Sequence, residues 1–393
     1  MIVLKQLLIV GVLFYGIQSL KAQILDIPFQ IKNDIILIEL QVNGNTGKNT
    51  FVFDTGASYD VLDVGVAKSL GIQADYKQEA RGAGGTNTVD IALNQKFVLG
   101  NGVEFASPNL VLVDLKSLRR KLERNFDGII GYSLLGKYIT LIDYDRKSIR
   151  LYDKIQDIDT TSYARIPFQL SNGIPIPQFD ISITLGNHET YSGPVFLDSG
   201  AALTLAVNTP YNKKHRFSEK AGRSILSETQ NLNTRSISEE IAIQSMAIGD
   251  YTLDEMVISL ANDKDGVSSY KGYLGILGAK VISRFNLILD YSTSLLYLKP
   301  NGSFSKAFEF PVSGITLEQV DGRIAVSRVQ QNCPAYRKGV RAGDRLVSID
   351  SIPSVDLEAC RLLLREEGKM RQLVLVDQEG NRKEITIQLE RLL

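Results

Sequence analysis

The chain repeats one block of about 130 residues, and this duplication limits the possible fold more than any other feature of the sequence. The first copy starts with IPFQ at Ile27, and the second starts with the same letters at Ile166. Each copy then places an apolar run directly before an acidic turn motif, Asp-Thr-Gly-Ala at 54–57 and Asp-Ser-Gly-Ala at 198–201. Because these landmarks and the closing segments follow in one order, we infer a duplication with small loop insertions.

Each copy is predicted to form a mainly β lobe. Its apolar runs of four to eight residues are bounded by Gly, Asn and Asp, which is typical of strands joined by tight turns. Residues 35–42 and 49–53 flank NGNTGKN and are predicted to form a hairpin. Only residues 63–70 are predicted to form a helix in the repeated blocks, with Gly71 at its end. A lobe of this size can bury its own hydrophobic core.

The charge and the metal-ligating residues exclude several classes of function. Lys and Arg total 44, and Asp and Glu also total 44, so no excess positive charge is available to bind nucleic acid or an anionic membrane. Two histidines and two cysteines are too few for the usual zinc ligand sets or for a disulfide scaffold. We therefore expect no metal and no cofactor. His188 and His215 lie in polar segments and are predicted to be solvated.

Residues 1–22 are predicted to be a secretory signal. Lys5 precedes an apolar run of 11 residues (7–17), and Ala22 offers a small residue for cleavage. The run is shorter than the roughly 20 residues that span a bilayer. We expect export to the periplasm or the extracellular space, with no stable membrane span after cleavage; a retained N-terminal anchor is the alternative. In an oxidising compartment Cys333 and Cys360 have the chemistry to pair, but their spacing does not require it.

The two acidic motifs supply a pair of carboxylates. Asp54 and Asp198 each end an apolar strand and enter a tight glycine turn, where an ionised carboxylate is costly unless donors or a function hold it there. A single aspartate of this kind usually caps a turn, but two at equivalent positions favour a shared site. Two carboxylates in close contact retain one proton between them. Such a pair can activate water, because one group accepts its proton while the other donates to the attacked carbonyl.

Both lobes resemble the aspartic peptidase family over residues 27–300. After each Asp-Thr/Ser-Gly motif the family has two apolar residues and a glycine, and this chain has Ile-Ile-Gly at 129–131 and Ile-Leu-Gly at 276–278. The Asp-Thr-Gly-Ala form, with the Leu-Gly-Ile at 70–72, is similar to the retropepsin-like branch. The duplicated single chain resembles the pepsin-like arrangement. The resemblance implies two β-barrel lobes with the active site between them.

The resemblance also implies roles for individual residues. Asp54 and Asp198 match the catalytic dyad. The residues that match its supporting turn are Thr55, Gly56, Ser199 and Gly200: the hydroxyls bond across the floor of the dyad, and the glycines let the backbone approach substrate. The residues that match the tip of a flap closing over the peptide are Gly82, Ala83, Gly84 and Gly85. A flexible turn is the alternative reading of that tip. The second lobe has no glycine-rich tip at 221–237, so we expect one dominant flap.

Alanine follows the catalytic turn in both lobes, at Ala57 and Ala201. In relatives with an acidic optimum, a Ser or Thr at this position can donate a hydrogen bond to the ionised carboxylate, which lowers its pKa. An alanine side chain has no donor. We therefore predict an activity optimum nearer neutral than strongly acidic pH.

Residues 311–393 resemble a bacterial-type PDZ domain. The series Cys-Pro-Ala (333–335), Gly-Val (339–340) and Gly-Asp (343–344) follows in the order typical of that family. The resemblance places a carboxylate-binding loop at Ser313, Gly314, Ile315 and Thr316. Consecutive backbone N–H groups at such a turn bind the C-terminal carboxylate of a peptide, which then pairs as an extra strand beside the second helix. Cys360, on that helix, is predicted to face the core or the groove.

The predicted fold is mainly β: two aspartic-protease-like lobes and a small α+β PDZ domain. The predicted boundaries are a signal peptide at 1–22, a first lobe at 23–153, a linker at 154–165, a second lobe at 166–300, a linker at 301–310 and a PDZ domain at 311–393. The predicted function is an aspartic endopeptidase whose PDZ domain recruits protein C-termini. The alternative is a peptide-binding scaffold or chaperone-like module without catalysis. A third reading is autoinhibition, in which the PDZ domain binds its own chain or covers the cleft.

Overall fold

The computed structural model describes residues 23–82, 85–100, 102–122, 125–170, 173–230, 235–331 and 333–393. The predicted signal segment 1–22 lies outside these residues, as do Ala83 and Gly84 of the predicted flap tip. Across the described ranges, no helix combines the length and the apolar character that crossing a bilayer requires.

The first lobe is built mostly from strands. In chain order its elements are β1 (Gln23–Pro28), β2 (Gln30–Lys32), β3 (Ile35–Val42), β4 (Asn49–Phe53), β5 (Val61–Asp63), α1 (Val64–Ser69), β6 (Tyr76–Gly82), β7 (Gly85–Leu99), β8 (Val103–Val113), α2 (Lys116–Leu122), β9 (Gly128–Ile130), α3 (Tyr132–Leu135), β10 (Ile139–Asp143) and β11 (Ser148–Tyr152). A 3₁₀ turn at Ile155–Asp157 leads to the second lobe.

The second lobe repeats this order. Its elements are β12 (Ala164–Pro167), β13 (Gln178–Thr184), β14 (Thr190–Asp198), β15 (Leu205–Val207), α4 (Thr209–His215), α5 (Phe217–Ala221), β16 (Ile225–Gln230), β17 (Arg235–Ile243), β18 (Ser245–Ile248), β19 (Tyr251–Leu253), β20 (Met256–Leu260), a 3₁₀ turn (Val267–Ser269), β21 (Gly275–Gly278), α6 (Ala279–Ile282), β22 (Phe285–Asp290) and β23 (Leu295–Pro300). β12 begins inside the predicted linker and pairs with β23.

The C-terminal domain adds a separate small sheet. Its elements are β24 (Ile315–Val320), β25 (Arg323–Val329), α7 (Pro334–Arg337), β26 (Arg345–Ile349), β27 (Ile352–Pro353), α8 (Leu357–Leu363), β28 (Met370–Val376) and β29 (Arg382–Gln388). The strands run in the order β24-β25-β26-β28-β29, so β24 is an edge strand, and α8 packs beside it. The sequence pattern predicts a helix over residues 356–367 and a first strand at 323–329, so α8 is shorter than predicted and β24 is an additional strand.

The sheets show that the duplication is also a spatial symmetry. The first lobe has the strand order β2-β3-β4-β9-β5-β8-β7-β6, and the second has β19-β18-β13-β14-β21-β15-β20-β17-β16, in which the run from β13 to β16 repeats the run from β3 to β6. A further sheet, β1-β11-β10-β22-β23-β12, takes half its strands from each lobe. Its centre is the antiparallel pair β10–β22, with Leu141 opposite Ile288. The equivalent elements of the two lobes are thus related by an approximate twofold axis through this sheet.

The hydrophobic core crosses the lobe boundary, unlike the predicted core within each lobe. One buried cluster contains Phe53 from the first lobe, Leu197 from the second and Leu287 from the shared sheet. The C-terminal domain has its own cluster, which includes Leu317 and Leu373. Because the lobes share apolar packing, we expect them to unfold together, while the C-terminal domain has the buried core of an independent unit.

Several local predictions can be checked directly. The hairpin of β3 and β4 is confirmed, with Leu37 opposite Val52. The predicted helix is confirmed at α1, where the Asp63 carboxylate accepts hydrogen bonds from two backbone N–H groups of the first turn. The remaining helices of the lobes were not predicted, because none is long enough to give a clear helical periodicity.

The exposure of the two histidines and the two cysteines can be compared with the predictions. His188 is exposed, as predicted. His215 is partly exposed, and its ring packs against Tyr191 and Tyr211, where burial lowers its pKa. Cys333 and Cys360 are both free and buried, and Cys360 belongs to the core of the C-terminal domain, as predicted.

Candidate active site

The two acidic motifs occupy equivalent turns at the ends of buried parallel strands. β4 pairs in parallel with β9, and β14 pairs in parallel with β21. Asp54 follows β4, and Asp198 is the last residue of β14. The Gly56 N–H donates to Asp54 Oδ1 (2.7 Å), and the Gly200 N–H donates to Asp198 Oδ1 (3.0 Å). Each turn therefore fixes one oxygen of its own carboxylate.

Thr55 and Ser199 join the two turns through reciprocal hydrogen bonds. The Thr55 N–H donates to Ser199 Oγ (3.0 Å), and the Ser199 N–H donates to Thr55 Oγ1 (2.9 Å). The Thr55 hydroxyl then donates to Leu197 O (2.9 Å), and the Ser199 hydroxyl donates to Phe53 O (3.1 Å). Both side chains are buried, so these bonds lie in a low-dielectric environment. They hold the two lobes in one register at the acidic pair.

Asp54 and Asp198 face each other across the lobe boundary. Their carboxyl groups are within hydrogen-bonding distance of one another, and both residues are partly exposed. A Cβ added at Gly56 would lie 2.6 Å from Asp198 Cγ, and one added at Gly200 would lie 2.7 Å from Asp54 Oδ1. The family resemblance explains these glycines by the approach of substrate. In the structure, the close approach that requires them is that of the opposite carboxylate.

The electrostatics of the pair favour retention of a proton. Burial raises the pKa of the Asp54 carboxyl above its ordinary value, against the lowering effect of the Gly56 N–H. Burial and the neighbouring charge of Asp54 raise the pKa of the Asp198 carboxyl well above its usual range. Two like charges at this distance repel, so the pair titrates as a unit and keeps one proton at a pH where an isolated aspartate has lost it.

Two models of known families match the chain, one in the first lobe and one in the C-terminal domain. Residues 38–134, which include Asp54, match the family model described as aspartyl protease. Residues 325–376 match the family model described as PDZ domain. The chain carries an aspartyl protease domain and a C-terminal PDZ domain. No curated protein matches the chain. The predicted recognition of both domains and the mainly β fold are therefore confirmed.

In both lobes, the apolar-apolar-glycine segment supports the acidic turn from behind. The Tyr132 N–H donates to Ala57 O (3.0 Å), and the Ala279 N–H makes the equivalent bond to Ala201 O (2.8 Å). Gly131 and Gly278 precede these donors. Neither has space for a side chain, because a Cβ would overlap backbone atoms at or just after the end of the acidic motif of the same lobe. The turn that bears each aspartate therefore rests directly on backbone.

Asp60 is a site residue that the sequence reasoning missed. Its side chain is buried, and its Oδ1 accepts the Gly131 N–H (3.1 Å). Burial raises the pKa of this carboxyl, while the hydroxyls of Ser107 and Ser133 and the Gly131 N–H lower it. The equivalent residue of the second lobe is Thr204, whose backbone oxygen accepts the Gly278 N–H. The available signal was an aspartate placed between the glycine turn and the apolar strand β5.

The predicted flap tip lies at the end of the hairpin formed by β6 and β7, which we call the first-lobe hairpin. Gly82 and Gly85 face each other as the last described pair before the tip, and Ala83 and Gly84 lie outside the described residues. Ala80 and Ala57 both pack against one buried cluster, which includes Ile129. The second lobe has an equivalent hairpin of β16 and β17, the second-lobe hairpin, although its sequence led us to expect one dominant flap.

The predicted carboxylate loop lies in the PDZ domain and is not part of the dyad site. Ser313 is buried, and its Oγ accepts the Ile315 N–H (3.2 Å). Gly314 has a φ of +68°, and an added Cβ would lie 2.7 Å from Cys333 Sγ, so only glycine fits there. Thr316 is exposed at the start of the edge strand β24. The guanidinium of Arg361, on α8, donates to Leu317 O of β24 (2.7 Å).

Among the residues that the structure describes, no group of three or more His, Cys, Asp or Glu side chains is arranged to hold a metal ion.

The raised pKa values set a testable pH dependence. With both carboxyls protonated the pair lacks a base, and with both ionised it lacks an acid, so activity requires one proton. Because both pKa values are raised, the active window lies higher than for two ordinary aspartates. Ala57→Ser with Ala201→Ser introduces two hydroxyl donors, which are expected to lower the pKa values and move the kcat/KM maximum down by about one pH unit.

The control for this pH profile is Ala202→Ser, which adds a hydroxyl one residue beyond the turn. Its kcat/KM maximum is expected to stay at the wild-type pH. A wild-type maximum below about pH 4 would contradict the raised window. An unchanged maximum in the double serine variant would show that alanine at these positions does not set it.

Proposed function

We propose that this protein is an aspartic endopeptidase that hydrolyses peptide bonds with water activated by Asp54 and Asp198. One observation carries the proposal: two carboxyl groups from equivalent turns lie within hydrogen-bonding distance. The reciprocal bonds of Thr55 and Ser199 hold this geometry rigid. The match of residues 38–134 to aspartyl proteases supports the same chemistry.

The shared proton gives the two carboxyl groups different roles. The ionised group, Asp54, accepts a proton from the bound water as its oxygen attacks the carbonyl carbon of the peptide. The protonated group, Asp198, donates its proton to the carbonyl oxygen, which yields a neutral tetrahedral diol. When the C–N bond breaks, the amine nitrogen takes a proton from the dyad, and a diol hydroxyl returns one. The pair again holds one proton, and no covalent intermediate forms with the enzyme.

The hairpins supply the means to exclude water from this reaction. Substrate in an extended conformation fits between the lobes, where both hairpins extend from the sheets that carry the aspartates. Closure over the peptide would strengthen each electrostatic contact by lowering the local dielectric. We assign the first-lobe hairpin, with Gly82 and Gly85 at its end, as one such cover.

The PDZ domain supplies a second peptide-binding surface. Its edge strand β24 offers backbone groups for β-augmentation, and the loop from Ser313 to Thr316 precedes it directly. We therefore propose that this loop binds the C-terminal carboxylate of a polypeptide. Recruitment of a protein substrate is the use that the sequence predicts for such a site.

A digestion experiment tests the proposal. A peptide library made from a proteome is incubated with the purified protein between pH 3 and 8 in ¹⁸O-labelled water, and the products are sequenced by mass spectrometry. We expect internal cleavage with one ¹⁸O atom in each new C-terminus, because water is the nucleophile. No cleavage at any pH, or equal cleavage by Asp54→Asn, would overturn the proposal and favour the peptide-binding scaffold.

A further inference from the structure

Among the residues that the structure describes, hydrogen bonds join the PDZ domain to the second-lobe hairpin at the backbone of Leu226. This residue lies on β16, the edge strand of the second-lobe sheet. Its N–H donates to Gln330 Oε1 (3.2 Å), and its carbonyl oxygen accepts hydrogen bonds from Gln330 Nε2 and from Arg328 Nη1. The side-chain amide of Gln330 thus satisfies both backbone groups of Leu226, as a neighbouring strand would.

The same glutamine is bonded to the carboxylate loop. Its backbone N–H donates to Gly314 O (2.7 Å), next to the β-pair of Ile315 and Val329. Gly314 itself lies directly against Cys333. The backbone of Gln330 therefore contacts the loop, and its side chain contacts the second-lobe hairpin.

The second-lobe hairpin belongs to the same sheet as the strand that carries Asp198. The sheet leads from β16 through β17, β20, β15 and β21 to β14, which ends at Asp198. The first-lobe hairpin ends the equivalent sheet, which leads from β6 through β7, β8, β5 and β9 to β4, directly before Asp54. A displacement of the second-lobe hairpin would therefore change the wall of the substrate cleft on the Asp198 side.

We propose that Gln330 is a positioning residue for the substrate cleft, and that a polypeptide C-terminus bound at residues 313–316 acts on the cleft through it. The inference rests on the proposed function and specifies its regulation. A bound carboxylate orders the loop and, through Gly314, the backbone of Gln330. Its side chain then holds the second-lobe hairpin in place, and substrate binding no longer has to supply that ordering.

The direction of the bound peptide favours an effector over a tethered substrate. A peptide whose carboxylate lies at the loop and which pairs with β24 has to run from Ile315 toward Val320. It leaves the domain roughly 17 Å from the loop, at the end that is remote from the hairpin contact. The rest of that chain is thus directed away from Leu226. The PDZ ligand is accordingly expected to act in trans, as the free end of a separate polypeptide.

The first test distinguishes an effect of the Gln330 side chain from an effect of docking between the PDZ domain and the second lobe as a whole. Gln330→Ala is expected to raise KM about fivefold and to leave kcat within about twofold, because it removes contacts that position a cleft wall and none that touch the reacting atoms. Gln331→Ala alters the exposed neighbouring glutamine and is the matched control. Glu255→Gln removes a different contact between the second lobe and the C-terminal domain, the ion pair of Glu255 with Arg391 (2.7 Å).

Both controls are expected to keep the wild-type KM. An equal rise of KM in Glu255→Gln would show that docking as a whole matters, and would overturn the assignment to Gln330. An unchanged KM in Gln330→Ala would also overturn it. Thermal melts of the three variants establish that both domains remain folded.

The second test supplies the effector. A pool of random hexapeptides with free carboxylates is added to a cyclic peptide substrate, which has no C-terminus of its own; the same pool with C-terminal amides is the control. We expect the free pool to lower the wild-type KM about two- to fivefold, with no effect on Gln330→Ala and none from the amidated pool. An unchanged KM in the wild type, or an equal effect in Gln330→Ala, would overturn the coupling.

Hydrogen exchange distinguishes failure of this inference from failure of the proposed function. In the full-length Asp54→Asn protein, the free peptide pool is expected to slow amide exchange in residues 225–243, and Gln330→Ala in the same background is expected to abolish that effect. This readout needs no hydrolysis. If the wild type cleaves peptides but neither KM nor exchange responds to the pool, the inference falls and the peptidase assignment stands.

Discussion

Replacing either aspartate of the dyad with asparagine is expected to lower kcat/KM by at least about a thousandfold, because general acid and base catalysis both depend on the shared proton. Asparagine has nearly the size and shape of aspartate but cannot accept the proton of water. The bonds between Thr55 and Ser199 do not involve either carboxylate, so the cleft is expected to keep its shape. The assay compares kcat/KM of wild type, Asp54→Asn and Asp198→Asn on one fluorogenic peptide.

The same substitutions are expected to stabilise the fold at neutral pH. A carboxyl whose pKa is raised in the folded protein binds its proton more tightly there than in the unfolded chain. Its stabilising contribution is therefore full below the unfolded pKa and decreases as pH rises toward the folded pKa. Asparagine carries no charge at any pH. At pH 7 the free energy of unfolding of Asp198→Asn is therefore expected to exceed that of the wild type.

Thermal melts at two pH values check this sign. The stabilisation of Asp198→Asn is expected at pH 7 and should disappear near pH 3, where the wild-type carboxyls are protonated in both states. Asp250→Asn, at an exposed turn, is the control and should match the wild type at both values. A lower melting temperature for Asp198→Asn at pH 7 would mean that the ionised pair is stabilised by its donors more than burial penalises it.

The acidic pair could be predicted from sequence because each member carries its own local signature. An apolar strand, an aspartate and a glycine turn are neighbours in the chain, and the duplication indicates that both copies serve one site. The twofold relation of the lobes then brings Asp54 and Asp198 together without any further information. The same reasoning found the C-terminal domain from its short motifs.

Residues that act across long chain separations could not be predicted in this way. Asp60 bonds to a backbone group 71 positions away, and Gln330 bonds to one 104 positions away. Neither residue belongs to a local pattern, and a glutamine in a loop has no distinctive sequence context. The second-lobe hairpin was underestimated for a related reason. Pairing of β17 with β20 and β16 determines that it forms, while the glycine content of its tip does not.

Adding one methyl group at Gly131 or Gly278 is expected to disable the protein, because both glycines pack against backbone of the catalytic turns. In Gly131→Ala the new Cβ would lie 2.7 Å from Ala57 Cβ, and in Gly278→Ala it would lie 2.7 Å from Ala201 O. These atoms cannot move unless the turns that bear Asp54 and Asp198 move with them. We expect a loss of about 3 kcal/mol in stability and a large loss of activity in the folded fraction.

Gly186→Ala is the control for this pair, because an added Cβ there meets no atom within 4 Å. It is expected to melt and cleave like the wild type. Melting temperatures of Gly131→Ala and Gly278→Ala are expected to fall by about 5–10 °C, with kcat decreasing more than KM changes, since the turns position the reacting groups. The two lobes are equivalent at these glycines, so comparable losses are expected from both. Normal activity in either variant would show that its turn tolerates displacement, and that the rigid support inferred for the dyad is wrong in that lobe.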